Sequence, residues 1–482
     1  METIIGREQE KRLLTNYVDS RKAEFVALYG RRRVGKTYLV RNLFEGRFAF
    51  DMTGVINGSK DEQMASFTQA LRRSGMPPSV PAPTKWMEAF SILRDLLEEQ
   101  PTDRPCIIFI DELPCLDTPR AGFVHALDHF WNSWGAHHRH VKLIVCGSAT
   151  SWMIRNLVDS HGGLHNRLTH EIHLHQFTLC ETELFLRHER FKWNRLNICQ
   201  LYMITGGVPY YLSLLNNSEG LSANIDRLFF SPDGELRREY QRLYSSLFKT
   251  PEPYMDIVQL LAKHRQGLTR DEIKDKLTKG TGGYLSSLLD DLQHCDFIRH
   301  YNIREQRVKR NGGIYQLTDF YTLFYHTFCK EPVSDPHFWS HTTRQPRQNT
   351  WNGLGFERVC MAHIPQIKQA LGIDRIHTEY YAWRSRQNKD KSVANPKLGA
   401  QIDLLIERSD QLINLCEMKF SNAPYAITGE EEMRMRIRQD DFVNETGARE
   451  GILLTFITTY GLRQNSHSSC IDNEVTMNDL FV

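Results

Sequence analysis

The chain has 482 residues, of which 40% are hydrophobic and 24% charged, with 60 Lys and Arg against 58 Asp and Glu. At about 150 residues per domain, this length predicts about three domains, and the composition excludes disordered, collagen-like and low-complexity chains. A formal charge of only +2 excludes a protein that coats nucleic acid through a uniformly basic surface, so any DNA contact must come from local patches.

The first part of the chain, residues 1–178, alternates short apolar strands with amphipathic helices. This alternation predicts an α/β domain. The predicted strands are residues 24–30, 47–52, 106–112, 142–149 and 170–175.

The pattern changes after residue 178. Residues 179–250 are predicted to form a helical lid, with a break and restart at 206–212. Residues 251–330 follow the order helix, helix, helix, hairpin, which is typical of a winged helix-turn-helix. Residues 331–350 are polar and predict a linker, and residues 351–482 restart as α-β-β-β-α-β.

Ten cysteines are scattered through the chain without a C-x-x-C pair. Several lie inside apolar runs, which predicts buried free thiols in a reducing compartment. The N-terminus lacks the apolar core of a signal peptide, and no apolar run reaches the length of a membrane span. We therefore expect a cytoplasmic protein without membrane contact.

A glycine-rich motif, GRRRVGKT, runs from Gly30 to Thr37 and fits G-x-x-x-x-G-K-[ST]. It follows a predicted strand and begins a predicted helix, the context in which such a loop binds phosphates. Lys36 is expected to reach the β- and γ-phosphates of ATP, and the Thr37 hydroxyl to ligate Mg²⁺. The predicted ATP-binding residues are Gly30, Arg33, Val34, Gly35, Lys36, Thr37, Tyr38 and Ser148.

The apolar strand 106–112 ends in Asp111 and Glu112. Asp111 is predicted to hold Mg²⁺, and Glu112 to polarise the attacking water. The alternative is a buried strand that ends in surface acids. The next apolar strand ends in Ser148, whose hydroxyl we expect beside the γ-phosphate.

The segments IIGREQEKRL, GRRRVGKT, FIDE, GSAT, GGLHNR and GGVPYYL resemble, in that order, the archaeal-type P-loop ATPases of the STAND/AAA-like group. The resemblance implies an additional-strand catalytic-glutamate core, a helical lid and a winged helix. It also implies that Ser148 is a sensor, that Gly6-Arg7-Glu8 lies near the nucleotide base, and that Arg167 touches the γ-phosphate in cis or trans. A trans contact would require a homo-oligomer, and a surface salt bridge is the alternative role for Arg167.

The third helix of the predicted winged helix, residues 284–295, carries Asp290 and Asp291 and no Lys or Arg. These acids would repel phosphate, which argues against sequence-specific DNA binding through this helix. The basic hairpin that follows either contacts a DNA backbone or is a solvated surface. Two alternating histidines, His173 and His175, have no carboxylate or cysteine partner in view, so loop polarity is favoured over a metal site.

The final segment predicts a hairpin with chemically active residues. A turn centred on Ser409 pairs Asp403 with Leu415 and sets Glu417 diagonally next to Asp403. Asp403, Glu417 and Lys419 then share one face of the sheet. Two carboxylates and a lysine on one face suit a divalent-metal nuclease, in which the acids hold Mg²⁺ and the lysine activates water.

The spacing D-x13-E-x-K on this frame resembles the PD-(D/E)XK restriction-endonuclease-like superfamily, and Glu357 matches that fold's auxiliary acidic position. No proline precedes Asp403, which departs from the superfamily pattern. Surface ion pairs, or a degenerate fold that binds without cutting, remain alternatives.

The prediction is a multidomain α/β protein: an ATP-hydrolysing switch coupled to a Mg²⁺-dependent DNA endonuclease, in defence or mobile-element biology. One alternative is an ATPase sensor or scaffold whose C-terminal domain binds nucleic acid or protein without cleaving. Another is an adaptor that binds ATP tightly without turnover. The trigger, the nucleic-acid substrate and the oligomeric state stay open.

Overall fold

The computed structural model describes residues 3–148, 150–158, 167–277, 282–301, 313–331, 333–343, 345–385 and 401–482. The chain forms two compact units. The first comprises Met1–Gln176, Ser245–Lys249 and Asp290–Asp296, and the second comprises Phe177–Tyr244, Thr250–Leu289 and Phe297–Val482. No helix among the described residues combines the length and apolar character that a membrane crossing requires.

The first unit alternates strands and helices, as its sequence predicts. Its elements are α1 (Glu8–Val18), β1 (Glu24–Tyr29), α2 (Lys36–Leu43), β2 (Phe48–Thr53), α3 (Lys60–Arg73), α4 (Trp86–Glu98), β3 (Cys106–Asp111), α5 (Phe123–Ser133), β4 (Val141–Gly147), α6 (Thr150–Met153) and β5 (His170–His173). All five predicted strands are present, with ends shifted by at most two residues.

The five strands form one parallel sheet in the order β2-β3-β4-β1-β5. Strand β4 lies between β1, which leads into the glycine-rich loop, and β3, which ends in Asp111. Successive residues of β1 are buried on opposite faces: Phe25 packs in one apolar cluster and Val26 in another. Burial on both faces explains why the three inner strands, β3, β4 and β1, are largely apolar.

The second unit begins with helices, and a small antiparallel sheet follows. Its first elements are α7 (Leu179–His188), α8 (Arg195–Thr205), α9 (Pro209–Ser213), α10 (Leu221–Ile225), α11 (Glu239–Leu247), α12 (Glu252–Lys263), β6 (Leu268–Thr269), α13 (Arg270–Lys276), α14 (Gly282–His294), β7 (Ile298–Tyr301), β8 (Ile314–Leu317) and α15 (Phe320–Phe324). Helices α11 and α14 contribute residues to both units. The three helices and the hairpin predicted for 251–330 are present, and their interpretation as a winged helix stays a prediction.

The remaining elements are α16 (Phe338–His341), α17 (Pro346–Ala362), α18 (Ile364–Ala370), β9 (Thr378–Arg384), β10 (Gln401–Arg408), β11 (Leu412–Lys419), α19 (Gly429–Thr446), β12 (Gly451–Thr458) and β13 (Asn473–Thr476). They form a second sheet in the order β13-β12-β11-β10-β9. Strands β9, β10 and β11 are antiparallel neighbours, whereas β12 and β13 run parallel to β11.

Two sequence-based expectations for this region are wrong in detail. Helix α17 begins at Pro346, inside the predicted linker, and ends before His363. Proline favours the first position of a helix because its fixed φ angle already has the helical value. The β10–β11 register pairs Leu405 with Leu415, so Leu415 does not face Asp403. The turn is therefore centred on Asp410 rather than on Ser409, and Gln411, the residue after this centre, adopts a left-handed φ of 64°.

The ten cysteines are free thiols, and six of them are buried. Burial raises the pKa of Cys199 and of Cys295 to about 12. These thiols are therefore protonated at neutral pH, as the sequence predicts for structural cysteines.

The break predicted at residues 206–212 is a tight connection between α8 and α9. Gly206 and Gly207 both have left-handed φ angles, of 64° and 66°. A Cβ atom added to Gly207 would lie 2.3 Å from the Phe177 carbonyl oxygen and 2.6 Å from Cε2 of Tyr202. The glycine thus permits both the backbone angle and the close approach.

Gly207→Ala is expected to lower the free energy of unfolding by at least about 2 kcal/mol, because it combines backbone strain with a clash against main chain. The control is Gly372→Ala, where φ is also positive but no atom lies within 4 Å; it should cost only about 1 kcal/mol. Chemical denaturation of both variants measures the difference. Equal losses would contradict the clash.

His363 is buried in the second unit as a neutral ring. Its Nε2 accepts from the Leu179 amide at 3.0 Å, and its Nδ1 donates to the Val359 carbonyl at 2.8 Å. Burial lowers the pKa of His363 to about 4. Since unfolded histidine titrates near 6.5, the unfolded chain binds a proton that the folded chain excludes, and stability falls as the pH drops from about 6.5 towards 4.

His363→Gln should therefore reduce the loss of stability between about pH 7 and about pH 5 by about 2 kcal/mol. The pH dependence of urea unfolding measures this. His326, whose pKa burial also lowers to about 4, remains in the variant, so part of the pH dependence persists. An unchanged pH profile would show that His363 is not buried as a neutral ring.

Candidate nucleotide and metal sites

The glycine-rich loop connects β1 to α2 with backbone angles that most residues avoid. Gly30, Arg33 and Gly35 have φ angles of 145°, 75° and 93°. A Cβ atom on Gly30 would lie 2.2 Å from the Leu174 carbonyl oxygen, so only glycine fits where β1 passes into the loop. The loop ends where α2 begins, and the amides of a helix N-terminus favour an anion there.

Lys36 begins α2 and is buried together with Val34, whereas Tyr38 is 43% exposed. The ammonium of Lys36 donates to the carbonyls of Gly30 and Arg31 at 2.7 and 2.9 Å. Burial lowers the pKa of Lys36, and the negative charge of Glu112 opposes this shift. A cation held inside the loop by main-chain carbonyls attracts phosphate oxygens to the same place.

Asp111 and Thr37 meet at the C-terminal end of strand β3. The Thr37 hydroxyl donates to Oδ2 of Asp111 at 2.9 Å. Oδ1 of Asp111 is buried and has no hydrogen-bond partner among the described residues. Burial raises the pKa of this carboxyl, and the hydrogen bond from Thr37 opposes the rise. An unsatisfied carboxylate oxygen beside a threonine hydroxyl fits a Mg²⁺ ion, which would gain ligands from Asp111 and Thr37.

Glu112 follows β3 in a left-handed conformation with φ of 48°. The Ser148 hydroxyl bonds to its carboxylate at 2.8 Å, and the Ser148 amide lies 3.3 Å from Oε2. Strands β3 and β4 are neighbours, which brings these two strand ends together. Ser148 therefore holds the carboxylate that the sequence predicts as general base.

The two arginines implied by the family resemblance differ in their surroundings. Arg7 is buried, and its Nη2 donates to the carbonyls of His175 at 2.6 Å and Val34 at 3.2 Å. The bond to Val34 holds the backbone of the glycine-rich loop. Arg167 is exposed and makes no hydrogen bond or ion pair with the described residues. Its contact with the γ-phosphate therefore stays a prediction. The segment Gly163 to Asn166 lies outside the described residues.

In the second unit, the β10–β11 register continued by one residue sets Asp403 directly opposite Glu417 rather than diagonally. Glu417 is bridged on both oxygens: Lys419 Nζ lies 2.8 Å from Oε1, and Arg438 Nη1 lies 2.5 Å from Oε2. The predicted sharing of one face by Glu417 and Lys419 is present. The sequence pattern did not indicate Arg438, which lies on α19 outside the motif.

Glu357 on α17 completes this group electrostatically. Burial raises the pKa of Glu357 to about 7, and the negative charges of Asp403 and Glu417 raise it further, whereas Arg358 and Lys419 oppose the rise. Three carboxylates therefore lie within electrostatic reach of one another. A divalent cation would relieve their repulsion, and an all-oxygen set fits Mg²⁺.

Of the basic residues that the sequence predicts as DNA contacts, Arg299 is hydrogen-bonded within the fold, and most of the others lie outside the described residues. Arg299 is not free on a hairpin surface: its Nε donates to Gln316 at 2.9 Å, and burial lowers its pKa to about 10. Asp291 is buried against Arg155, so only Asp290 presents its charge to solvent. The remaining basic residues of the hairpin and most of the basic loop 384–397 lie outside the described residues: Arg304, Arg307, Lys309, Arg310 and 386–397.

Residues 4–215 match the family described as an ATPase domain predominantly from Archaea. The chain therefore contains an archaeal-type ATPase domain. An uncharacterized protein of Methanocaldococcus jannaschii is 26% identical over 372 residues, which cover 76% of this chain and 78% of that protein.

Two solved structures are also similar. A Walker-type ATPase of Pyrococcus abyssi is 19% identical, with a TM-score of 0.48 over 67% of this chain and 96% of its own. The ORC2 protein of Aeropyrum pernix, in ADPNP–ADP complexes, is 13% identical, with a TM-score of 0.40 over 70% of this chain and 94% of its own. At these scores neither adds to what the ATPase domain itself shows.

Proposed function

We propose that this chain is an ATP-hydrolysing switch coupled to a Mg²⁺-dependent DNA endonuclease in its C-terminal residues. The ATPase part of this proposal is supported by the ATPase-domain match and by the polar network of Thr37, Asp111, Glu112 and Ser148. The observation that carries the ATPase part of the proposal is the buried Oδ1 of Asp111, which has no hydrogen-bond partner among the described residues and which a bound cation would satisfy.

Each residue of the network has one task in hydrolysis. Lys36 and the loop amides bind the phosphates, and Glu112 accepts a proton from the attacking water while Ser148 keeps its carboxylate oriented. Mg²⁺, held by Thr37 and Asp111, would neutralise phosphate charge when bound. Arg167 is proposed to contact the γ-phosphate, in cis or from a second copy of the chain.

The nuclease half is supported by the grouping of Glu357, Asp403 and Glu417 around Lys419. The carboxylates are proposed to hold Mg²⁺, and Lys419 to orient water at a scissile phosphate. Burial raises the pKa of Glu357, and the negative charges of Asp403 and Glu417 raise it further; a bound cation would relieve that repulsion.

A second candidate function is a sensor or scaffold whose C-terminal residues bind DNA or protein without cutting. The observation that favours it is the double ion pair of Glu417 with Lys419 and Arg438. In this arrangement both oxygens of Glu417 already have cationic partners, which a metal ion would have to displace.

The test is an assay of the purified full-length chain with ATP, Mg²⁺, and single- or double-stranded DNA. Phosphate release and strand cleavage are followed in the same samples, with ATP, with a non-hydrolysable analogue, and without nucleotide. We expect Mg²⁺-dependent phosphate release and Mg²⁺-dependent cleavage whose rate depends on the nucleotide.

The outcomes separate the alternatives. Phosphate release without cleavage on either DNA, in Mg²⁺ or Mn²⁺, would favour the sensor or scaffold. Tight ATP binding without phosphate release would overturn the ATPase and favour a nucleotide-locked adaptor.

A further inference from the structure

Two histidines and an aspartate that are far apart in sequence converge in the first unit. His173 ends β5 and His175 follows two residues later, so both rings project from the same side of an extended segment. Asp296 lies just after α14. Nδ1 of His175 is 3.0 Å from Oδ2 of Asp296, and Nε2 of His173 is 3.4 Å from the same oxygen.

The distances between these ligand atoms suit a metal ion. The three atoms all lie within 4.8 Å of one another, and the two imidazole centroids are 4.0 Å apart. Two ligands about 2.1 Å from a tetrahedral Zn²⁺ are separated by about 3.4 Å. The observed separations of 3.0 and 3.4 Å from the aspartate oxygen are thus close to the spacing of zinc ligands.

The hydrogen bonding of His173 leaves a ligand atom available. Its Nε2 is buried and makes no hydrogen bond with the described residues, although Asp296 is near. A buried ring nitrogen that makes no hydrogen bond is costly in a folded protein. Coordination of a cation would satisfy it.

We propose that His173, His175 and Asp296 bind one Zn²⁺ ion, with the fourth position left to water. Two imidazole nitrogens and one carboxylate oxygen form a ligand set that zinc accepts with an open position. The site shares no residue with the Mg²⁺ position at Thr37 and Asp111, and its imidazole nitrogens suit Zn²⁺, whereas Mg²⁺ selects oxygen ligands.

The zinc site would stabilise the segment that packs on the phosphate-binding loop. Leu174, between the two histidines, donates from its amide to the Tyr29 carbonyl at 2.7 Å, and its own carbonyl lies against Gly30. The His175 carbonyl accepts from Arg7, whose guanidinium also reaches the Val34 carbonyl. A metal that fixes His173 and His175 would therefore hold the backbone against which the loop is formed.

Metal binding by the untagged full-length protein tests the site directly. Metal-stripped protein is titrated with Zn²⁺ by calorimetry, and with Co²⁺ by its visible d–d absorption. We expect one Zn²⁺ per chain and a tetrahedral Co²⁺ spectrum, with the Zn²⁺ affinity falling at least about 100-fold in His175→Ala and in Asp296→Asn.

The matched control is His170→Ala. His170 lies on the same strand, but its ring stacks on Tyr17 at 3.6 Å, so its loss should leave Zn²⁺ affinity unchanged. Asp296→Cys keeps three ligands and should add a thiolate-to-Co²⁺ charge-transfer band, a gain of signal that a misfolded variant would not show.

Several results would overturn the proposal. These are absence of saturable Zn²⁺ binding by the wild-type protein, equal affinity in His175→Ala and His170→Ala, or no new band in Asp296→Cys. In each case the group would be a pH-dependent ion pair, since the hydrogen bond to Asp296 raises the pKa of His175.

The affinity for ADP, measured with and without Zn²⁺, tests whether the zinc site stabilises the phosphate-binding loop. We expect Zn²⁺ to raise this affinity at least about 5-fold, and an unchanged affinity would overturn the link between the zinc site and the loop.

Discussion

Glu112→Gln is expected to lower the rate of ATP hydrolysis by at least about 100-fold while ATP binding persists. The amide cannot accept a proton from water, but it keeps the size of the carboxylate and can still bond to the Ser148 hydroxyl, which lies 2.8 Å from both carboxylate oxygens. The phosphate-binding contacts of Lys36 are left intact. Phosphate release and fluorescent-nucleotide binding, measured on the same preparation, separate the two effects.

Glu99→Gln is the matched control, because it makes the same substitution at an exposed residue at the end of α4. It should hydrolyse ATP at the wild-type rate. Lys36→Ala provides the opposite pattern, in which binding itself is lost. Hydrolysis that survives Glu112→Gln would remove Glu112 from the role of general base.

Asp403→Asn and Lys419→Ala are each expected to lower Mg²⁺-dependent DNA cleavage by at least about 100-fold without changing ATP hydrolysis. Asp403 lies opposite Glu417 in the hairpin, and Lys419 bonds to Glu417 at 2.8 Å. Asparagine removes a metal-binding charge, and alanine removes the cation expected to orient water. Strand cleavage and phosphate release are measured together.

Protein stability adds a second readout for this site. Asp403 raises the pKa of Glu357 through charge repulsion but stabilises the charged forms of Arg299 and Arg358, so the two effects oppose each other and Asp403→Asn should change the melting temperature little. Charge-matched controls on exposed residues are Asp440→Asn and Lys276→Ala, which should cleave normally. Lower stability with unchanged cleavage would identify the group as a structural ion-pair network.

Local features of both sheets follow from the sequence. The strand before the glycine-rich loop and the strand ending in Asp111 are continuous apolar runs, and both are buried parallel strands. The C-terminal strands and α19 are likewise found where the period of the pattern indicates them. Apolar periodicity and glycine content are local properties, and each strand or helix satisfies them with neighbouring residues.

The errors in the C-terminal region have non-local causes. Helix α17 begins inside the polar segment 331–350 that the sequence predicts as a linker. It continues through Gly355, which lets the helix approach α8: a Cβ atom there would lie 2.8 Å from Cγ of Met203. The hairpin register depended on whether Gln411 adopts a left-handed conformation, which no pattern of apolar residues specifies.

The phosphate loop, the acids at the end of β3 and the alternation of the α/β core can be predicted from residue type and spacing, because each depends on a few neighbouring elements. Which distant side chains meet is visible only in the folded chain. The tertiary structure brings Ser148 to Glu112, Arg7 to the loop carbonyls, and Asp296 to two histidines that had no visible partner. The physical reason is that strand order and turn geometry set these distances, and both depend on packing across the whole unit rather than on neighbours in the chain.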